Sequence, residues 1–274
     1  MAEFRIEGAG VVIAGEQAGE GIPIVLLHGL TATRRYVVMG SRSLERTGHR
    51  VVSYDARGHG QSSAAPTPDA YTYELLADDL ERVLDSLSIE RAVLAGVSMG
   101  SHTILNYALR APERVAGLVV ITPAYSGRQD ASGARTERWD RLSAALRTGG
   151  VEGFIEAYGS SGVASPKLAE TIDTVIRQRM ALHEDLSALA DALTALPRTT
   201  PFGEVADLAA IAAPTVIIGS GDEADPEHPF AVAEAYRDVI PEARLVTEEA
   251  GSSPLAWQGS QVSKVIAEVA SCAS

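Results

Sequence analysis

The chain predicts an α/β fold, a mostly parallel sheet with helices on both faces, and three observations lead there. Short β-rich runs alternate with longer segments of helical periodicity, the pattern of successive βαβ units with right-handed crossovers. A Gly-x-Ser-x-Gly turn, Gly96-Val97-Ser98-Met99-Gly100, joins an apolar run directly to an amphipathic one. The alternation stops once, between Thr122 and Pro214, where helical patterns follow one another without a clear strand.

Taken in order, Phe4 to Ile13 suits an antiparallel hairpin at a sheet edge. Ile22 to His28 and Arg50 to Tyr54 are apolar strands, each ending in a glycine-containing turn. Tyr73 to Leu87 carries Leu75, Leu76, Leu80, Val83, Leu84 and Leu87 at helical spacing. Arg91 to Ala95 is a short strand, and Ser98 to Arg110 a helix closed by Pro112. Gly117 to Ile121, Thr215 to Gly219 and Arg244 to Thr247 complete the strands. In the interrupting stretch, helices are expected at Arg135–Arg147, Val151–Tyr158, Pro166–Leu182 and Leu186–Leu196, punctuated by Gly149-Gly150, Gly159 to Gly162 and Pro197. An insertion at this place lies above the carboxyl ends of the strands, so a lid is expected. The expected division is a core of residues 1–122 and 213–274 and a helical lid of 123–212.

With 274 residues, 46% of them apolar, the chain suits one large α/β domain. A net charge of −13 disfavours nucleic acid and anionic membrane surfaces. The single cysteine, Cys272, permits no internal disulfide, and the charged start resembles no signal peptide. A soluble cytoplasmic protein acting on a small molecule is the expectation. No Cys/His cluster has metal-ligand spacing, and the phosphate-loop and dinucleotide fingerprints are absent, so no metal or cofactor is expected.

The chemistry centres on Ser98. The flanking glycines permit a strained strand-to-helix turn that lifts the serine oxygen above the sheet, and the helix behind it favours developing negative charge. His28-Gly29-Leu30 closes an earlier strand. Stabilising an oxyanion takes two backbone donors, and the amides of Leu30 and Met99 are the natural pair.

These motifs resemble the α/β-hydrolase fold family. The matching segments are His28-Gly29, Tyr54-Asp55-Ala56-Arg57-Gly58-His59-Gly60-Gln61-Ser62, the turn around Ser98, and Gly219-Ser220-Gly221-Asp222. They follow the family's order over nearly the whole chain. The resemblance implies an eight-stranded sheet, Ser98 as nucleophile, Leu30 and Met99 as oxyanion donors, Asp222 as the orienting acid, and a loop-organising role for His59. Glu223 and Asp225 share the loop of Asp222 as rivals.

In one respect the chain departs from the family. The family's histidine follows the last strand, and here that position falls on Ser252, with no histidine in the last 46 residues. A serine hydroxyl is no general base near neutral pH. Three explanations stay open: a substitute base, His228 or His183; a lyase or isomerase reaction that does not acylate Ser98; or a catalytically inactive ligand binder. His102, four residues after Ser98, suits packing against the sheet. Arg34 and Arg35 suit a substrate carboxylate, and Trp139, Phe154, Tyr158 and Trp257 suit an apolar pocket wall, although surface charge and lid packing explain them as well. The leading expectation is hydrolysis of a small carboxylic ester or lactone through Ser98.

Overall fold

The computed structural model describes residues 1–128, 133–159, 166–221, 227–248 and 259–272. Eight strands form one sheet in the order β1-β2-β4-β3-β5-β6-β7-β8. They are β1 (Ala2–Gly8), β2 (Val11–Ala18), β3 (Ile22–Leu27), β4 (His49–Tyr54), β5 (Ala92–Val97), β6 (Val115–Ile121), β7 (Thr215–Ile218) and β8 (Arg244–Val246). β2 runs antiparallel to both β1 and β4; from β4 to β8 every pairing is parallel. The expected edge hairpin is present and longer than Phe4–Ile13.

The central parallel strands are buried on both faces, and their side chains divide by the two-residue period of a strand. On β3, Val25 and Leu27 enter one core while Ile24 and Leu26 enter the other; on β6, Leu118 and Val120 oppose Val119 and Ile121. Helices α2 (Tyr73–Ser86), α3 (Met99–Arg110) and α7 (Phe230–Val239) cover the first face. Helix α8 (Gly259–Cys272) covers the second through Val262, Val265, Ile266 and Val269, one stripe at helical spacing. A short α1 (Ser43–Arg46) adds Leu44 to that face.

Between β6 and β7 lie α4 (Ala134–Tyr158), α5 (Pro166–Met180) and α6 (Leu186–Ala195). The expected break at Gly149-Gly150 falls inside α4 as a kink: Gly150 has φ +60° and ψ −150°, a conformation that favours glycine. These helices pack around a core of their own, including Trp139, Leu142, Phe154, Met180 and Leu189. Among the described residues, no helix is long and apolar enough to cross a membrane.

The loop after β4 is anchored by a buried ion pair. Arg57 Nε and Asp79 Oδ2 lie 2.7 Å apart, with side chains 1% and 0% exposed. Arg57 also donates to the carbonyls of Ala70 and Leu75, and Arg82 donates to Asp79 Oδ1 at 2.7 Å. With nearly all polar atoms satisfied, the pair is tolerable in the core; with one partner removed, a bare charge remains there. Asp79→Ala should therefore lose about 3–5 kcal/mol of unfolding free energy. Asp85→Ala, which removes the exposed partner of Arg114, should lose at most about 1 kcal/mol. Urea denaturation of both variants checks the contrast, and equal losses would contradict it.

Candidate active site

Ser98 is held in the left-handed region at φ +50° and ψ −109°, between β5 and α3. The strain follows from close packing on either side. A Cβ on Gly96 would lie 2.3 Å from the Gly100 carbonyl carbon, and one on Gly100 would lie 2.2 Å from the Leu27 carbonyl oxygen. Only glycines allow the first turn of α3 to press against the ends of β3 and β5. Ser98 is fastened through its own amide to the Ile121 carbonyl at 2.9 Å. Met99, the first residue of α3, has an amide with no acceptor inside the helix.

The loop after β3 lies beside it: a Cβ on Gly29 would be 3.6 Å from the Ser98 Cβ. The plane of the Gly29–Leu30 peptide is fixed by its carbonyl, which accepts from His28 Nδ1 at 2.8 Å and from the Ala32 amide at 2.9 Å. His28 Nε2 accepts from the Ala56 amide at 2.9 Å, which sets the tautomer. In a trans peptide the N–H points opposite the C=O, so these bonds also aim the Leu30 amide. The next carbonyl, that of Leu30, accepts from His59 Nε2 at 2.8 Å.

His228 Nε2 lies 2.8 Å from Ser98 Oγ, and both residues are half-buried. Of the two histidines that sequence offered as a base, the structure brings this one to the serine. His183 is turned elsewhere: its Nδ1 accepts from the Gly60 amide at 3.0 Å, and its Nε2 faces the Thr31 carbonyl at 3.4 Å. It joins His28 and His59 in a row of rings with centroids 5.1 and 5.7 Å apart. His102 Nε2 accepts from the amides of Ala124 and Tyr125, and its Nδ1 meets the Tyr73 hydroxyl at 3.1 Å.

Burial decides the charge of these rings. His28, His102 and His183 are each pushed down from 6.5 to about 3, with desolvation as the chief cause. Permanent cations add to it at two of them, Arg34 near His28 and Arg135 near His102. His59 is also lowered by burial, against the two carbonyls its nitrogens face. His28, His102 and His183 are neutral struts rather than proton carriers.

Arg34 is committed within the protein. It pairs with Asp55 through its amide and guanidinium, and donates to Gln61 at 2.7 Å, so it does not offer the expected carboxylate site; Arg35 is exposed. Trp139 is buried in the insertion core, against which Leu30 packs, and Tyr158 stacks on Phe154. Asp222, Glu223, Asp225, Ser252 and Trp257 lie outside the described residues. Beside that loop, Glu248, two residues past β8, accepts from Ser220 Oγ at 3.0 Å and the Gly221 amide at 2.7 Å.

Sequence reasoning missed two contacts. Arg138 Nη1 lies 3.0 Å from Glu227 Oε1, next to His228, and its guanidinium carbon sits 5.2 Å from the centre of the Tyr158 ring. The spacing of Arg135 and Arg138 on one helical face was the available signal, but their facing partner belongs to a distant segment.

A family model described as the alpha/beta hydrolase fold matches residues 22–160. A 2-hydroxy-6-oxononadienedioate/2-hydroxy-6-oxononatrienedioate hydrolase of Pseudomonas putida is 31% identical over 210 residues, 73% of this chain and 71% of that protein. An sn-1-specific diacylglycerol lipase of Danio rerio is 38% identical over 104 residues, 38% of this chain. That match spans only 32% of the lipase, and the other leading curated relatives are likewise matched over less than half of their length. A thermophilic esterase from Thermogutta terrifontis superposes with a TM-score of 0.77 at 25% identity, over 98% of this chain and 97% of its own.

The buried histidines also set the acid limit of the fold. Their folded-state values lie below the ordinary 6.5 of an exposed ring, so the unfolded chain binds more protons between the two. The stability they permit is complete above about pH 6.5 and falls as pH drops toward 3, by up to about 1.4 kcal/mol per pH unit for each ring. The urea midpoint should fall steeply between about pH 6.5 and 4.5. A flat midpoint over that interval would show that these rings are not held neutral.

Proposed function

The chain belongs to the α/β-hydrolase fold family, and within it we propose a serine hydrolase of small carboxylic esters and lactones whose general base is His228. The 2.8 Å approach of His228 Nε2 to Ser98 Oγ carries this reading, since nucleophile and base must share a hydrogen bond before the proton can move. As Ser98 Oγ attacks the ester carbonyl carbon, its proton passes to His228 Nε2. The carbonyl π electrons move onto oxygen, which the amides of Leu30 and Met99 receive. His228 returns the proton to the departing alkoxide, and in a lactone that alkoxide stays tethered to the acyl group. Water, deprotonated by His228, then releases the acid and restores Ser98.

Asp222, six residues before His228 in the sequence, is the acid of this reading. Residues 123–212 are its lid, a role supported by the packing of Leu30 against their core. The esterase from Thermogutta terrifontis supports the ester class by likeness over nearly its full length. The net charge of −13 favours small uncharged substrates in solution over membranes or nucleic acid.

Incubation with a fluorophosphonate, read by intact mass, should add one adduct to the wild type and none to Ser98→Ala. On p-nitrophenyl acetate, His228→Ala should lose about 10⁴-fold or more in kcat, the scale of removing the histidine of a serine triad in subtilisin. His183→Gln should keep kcat within about tenfold, as a strut outside the proton path. An unlabelled wild type, with no ester turnover, would leave a ligand binder or a non-acylating enzyme in its place.

A further inference from the structure

We propose that Arg138 and Glu227 are positioning residues that hold His228 against Ser98, and so tie the base to the seating of the helical insertion. This rests on the assignment of His228 as base.

His228 does not lie at the end of a strand. It precedes α7, which starts at Phe230, by two residues. Earlier in the chain, Glu248 holds Ser220 and Gly221. Just after His228, the Val232 amide bonds the Pro229 carbonyl at 2.9 Å. Beside the base itself, Glu227 is caught at 3.0 Å by Arg138.

Arg138 is in turn held from below. Its guanidinium lies over the Tyr158 ring, and Tyr158 stacks on Phe154 at 6.0 Å with a 26° interplanar angle. Phe154 is fully buried in the core of α4, α5 and α6. Packed side chains thus run without a gap from the insertion core to the residue before the base. The two charged side chains are 28% and 19% exposed, so solvent screens them only in part.

A pair this exposed adds little to global stability. Its value lies in geometry, because an error near 1 Å in the placement of a reacting group costs rate and leaves substrate affinity largely intact. A mere surface ion pair would change neither kcat nor KM.

The test measures kcat, KM and thermal midpoint on p-nitrophenyl acetate for Arg138→Met, Glu227→Gln, their double variant and Arg138→Lys, with His228→Ala alongside. Each single variant should lose about 10- to 100-fold in kcat with little change in KM and an unchanged thermal midpoint. The double variant should be no worse than the worse single one, because both remove the same tether. Arg138→Lys, which keeps the charge without the planar face over Tyr158, should recover part of the rate. Wild-type kcat in both single variants beside an inactive His228→Ala would overturn the tether and leave the base assignment standing. Additive losses, or losses that follow the thermal midpoint, would also overturn it. Full activity in His228→Ala would overturn the base assignment, and the tether with it.

Discussion

The contact on which the site depends is the one between the first turn of α3 and the ends of β3 and β5. Gly100 fits against the Leu27 carbonyl and Gly96 against Gly100 only because neither has a side chain. That closeness forces Ser98 to φ +50°. It also brings the Gly29 loop beside the serine and leaves the Met99 amide facing outward from the start of a helix. Three components of the proposed acyl-transfer site thus follow from one steric constraint, and the strain at Ser98 is offset by the core beneath it.

Around that contact the protein uses histidine in two ways. His28, His59 and His183 are buried hydrogen-bonding struts that orient the carbonyls of the loop after β3 and, through Gly60, join it to the end of the insertion. Burial in such a place disfavours the charged ring. His228 is half-buried and faces Ser98.

The local parts of this arrangement were legible in the sequence. The turn at Ser98 is written in five consecutive residues, and the strands announce themselves by apolar runs whose buried ends the structure moves by a residue or two. The Gly149-Gly150 break is likewise local. Choosing between His228 and His183 was not possible from sequence, because each lies in a connection whose path depends on tertiary packing. Arg34 misled for a related reason: its position after the oxyanion loop suits a substrate anion, but Asp55 and Gln61, from a separate segment, reach it first. The pairing of Arg138 with Glu227 joins two segments that share no motif, and only the fold brings them together.

A base on the loop after β7 changes what the neighbouring elements have to do. A loop residue has more conformational freedom than one fixed by a strand end, and a reactive serine–histidine contact tolerates little of it. The required order has to come from side chains. Glu248, two residues past β8, contributes by accepting from Ser220 and Gly221, so in this reading the chain after the last strand supports the base-bearing loop rather than supplying the base. Arg138 contributes from the other direction, out of the insertion. In the proposed site the core sheet fixes the nucleophile, while the placement of its proton acceptor is shared between the segment after β8 and the helices of the insertion. Any motion of those helices against the sheet would act first on the base and leave the strained serine where it is.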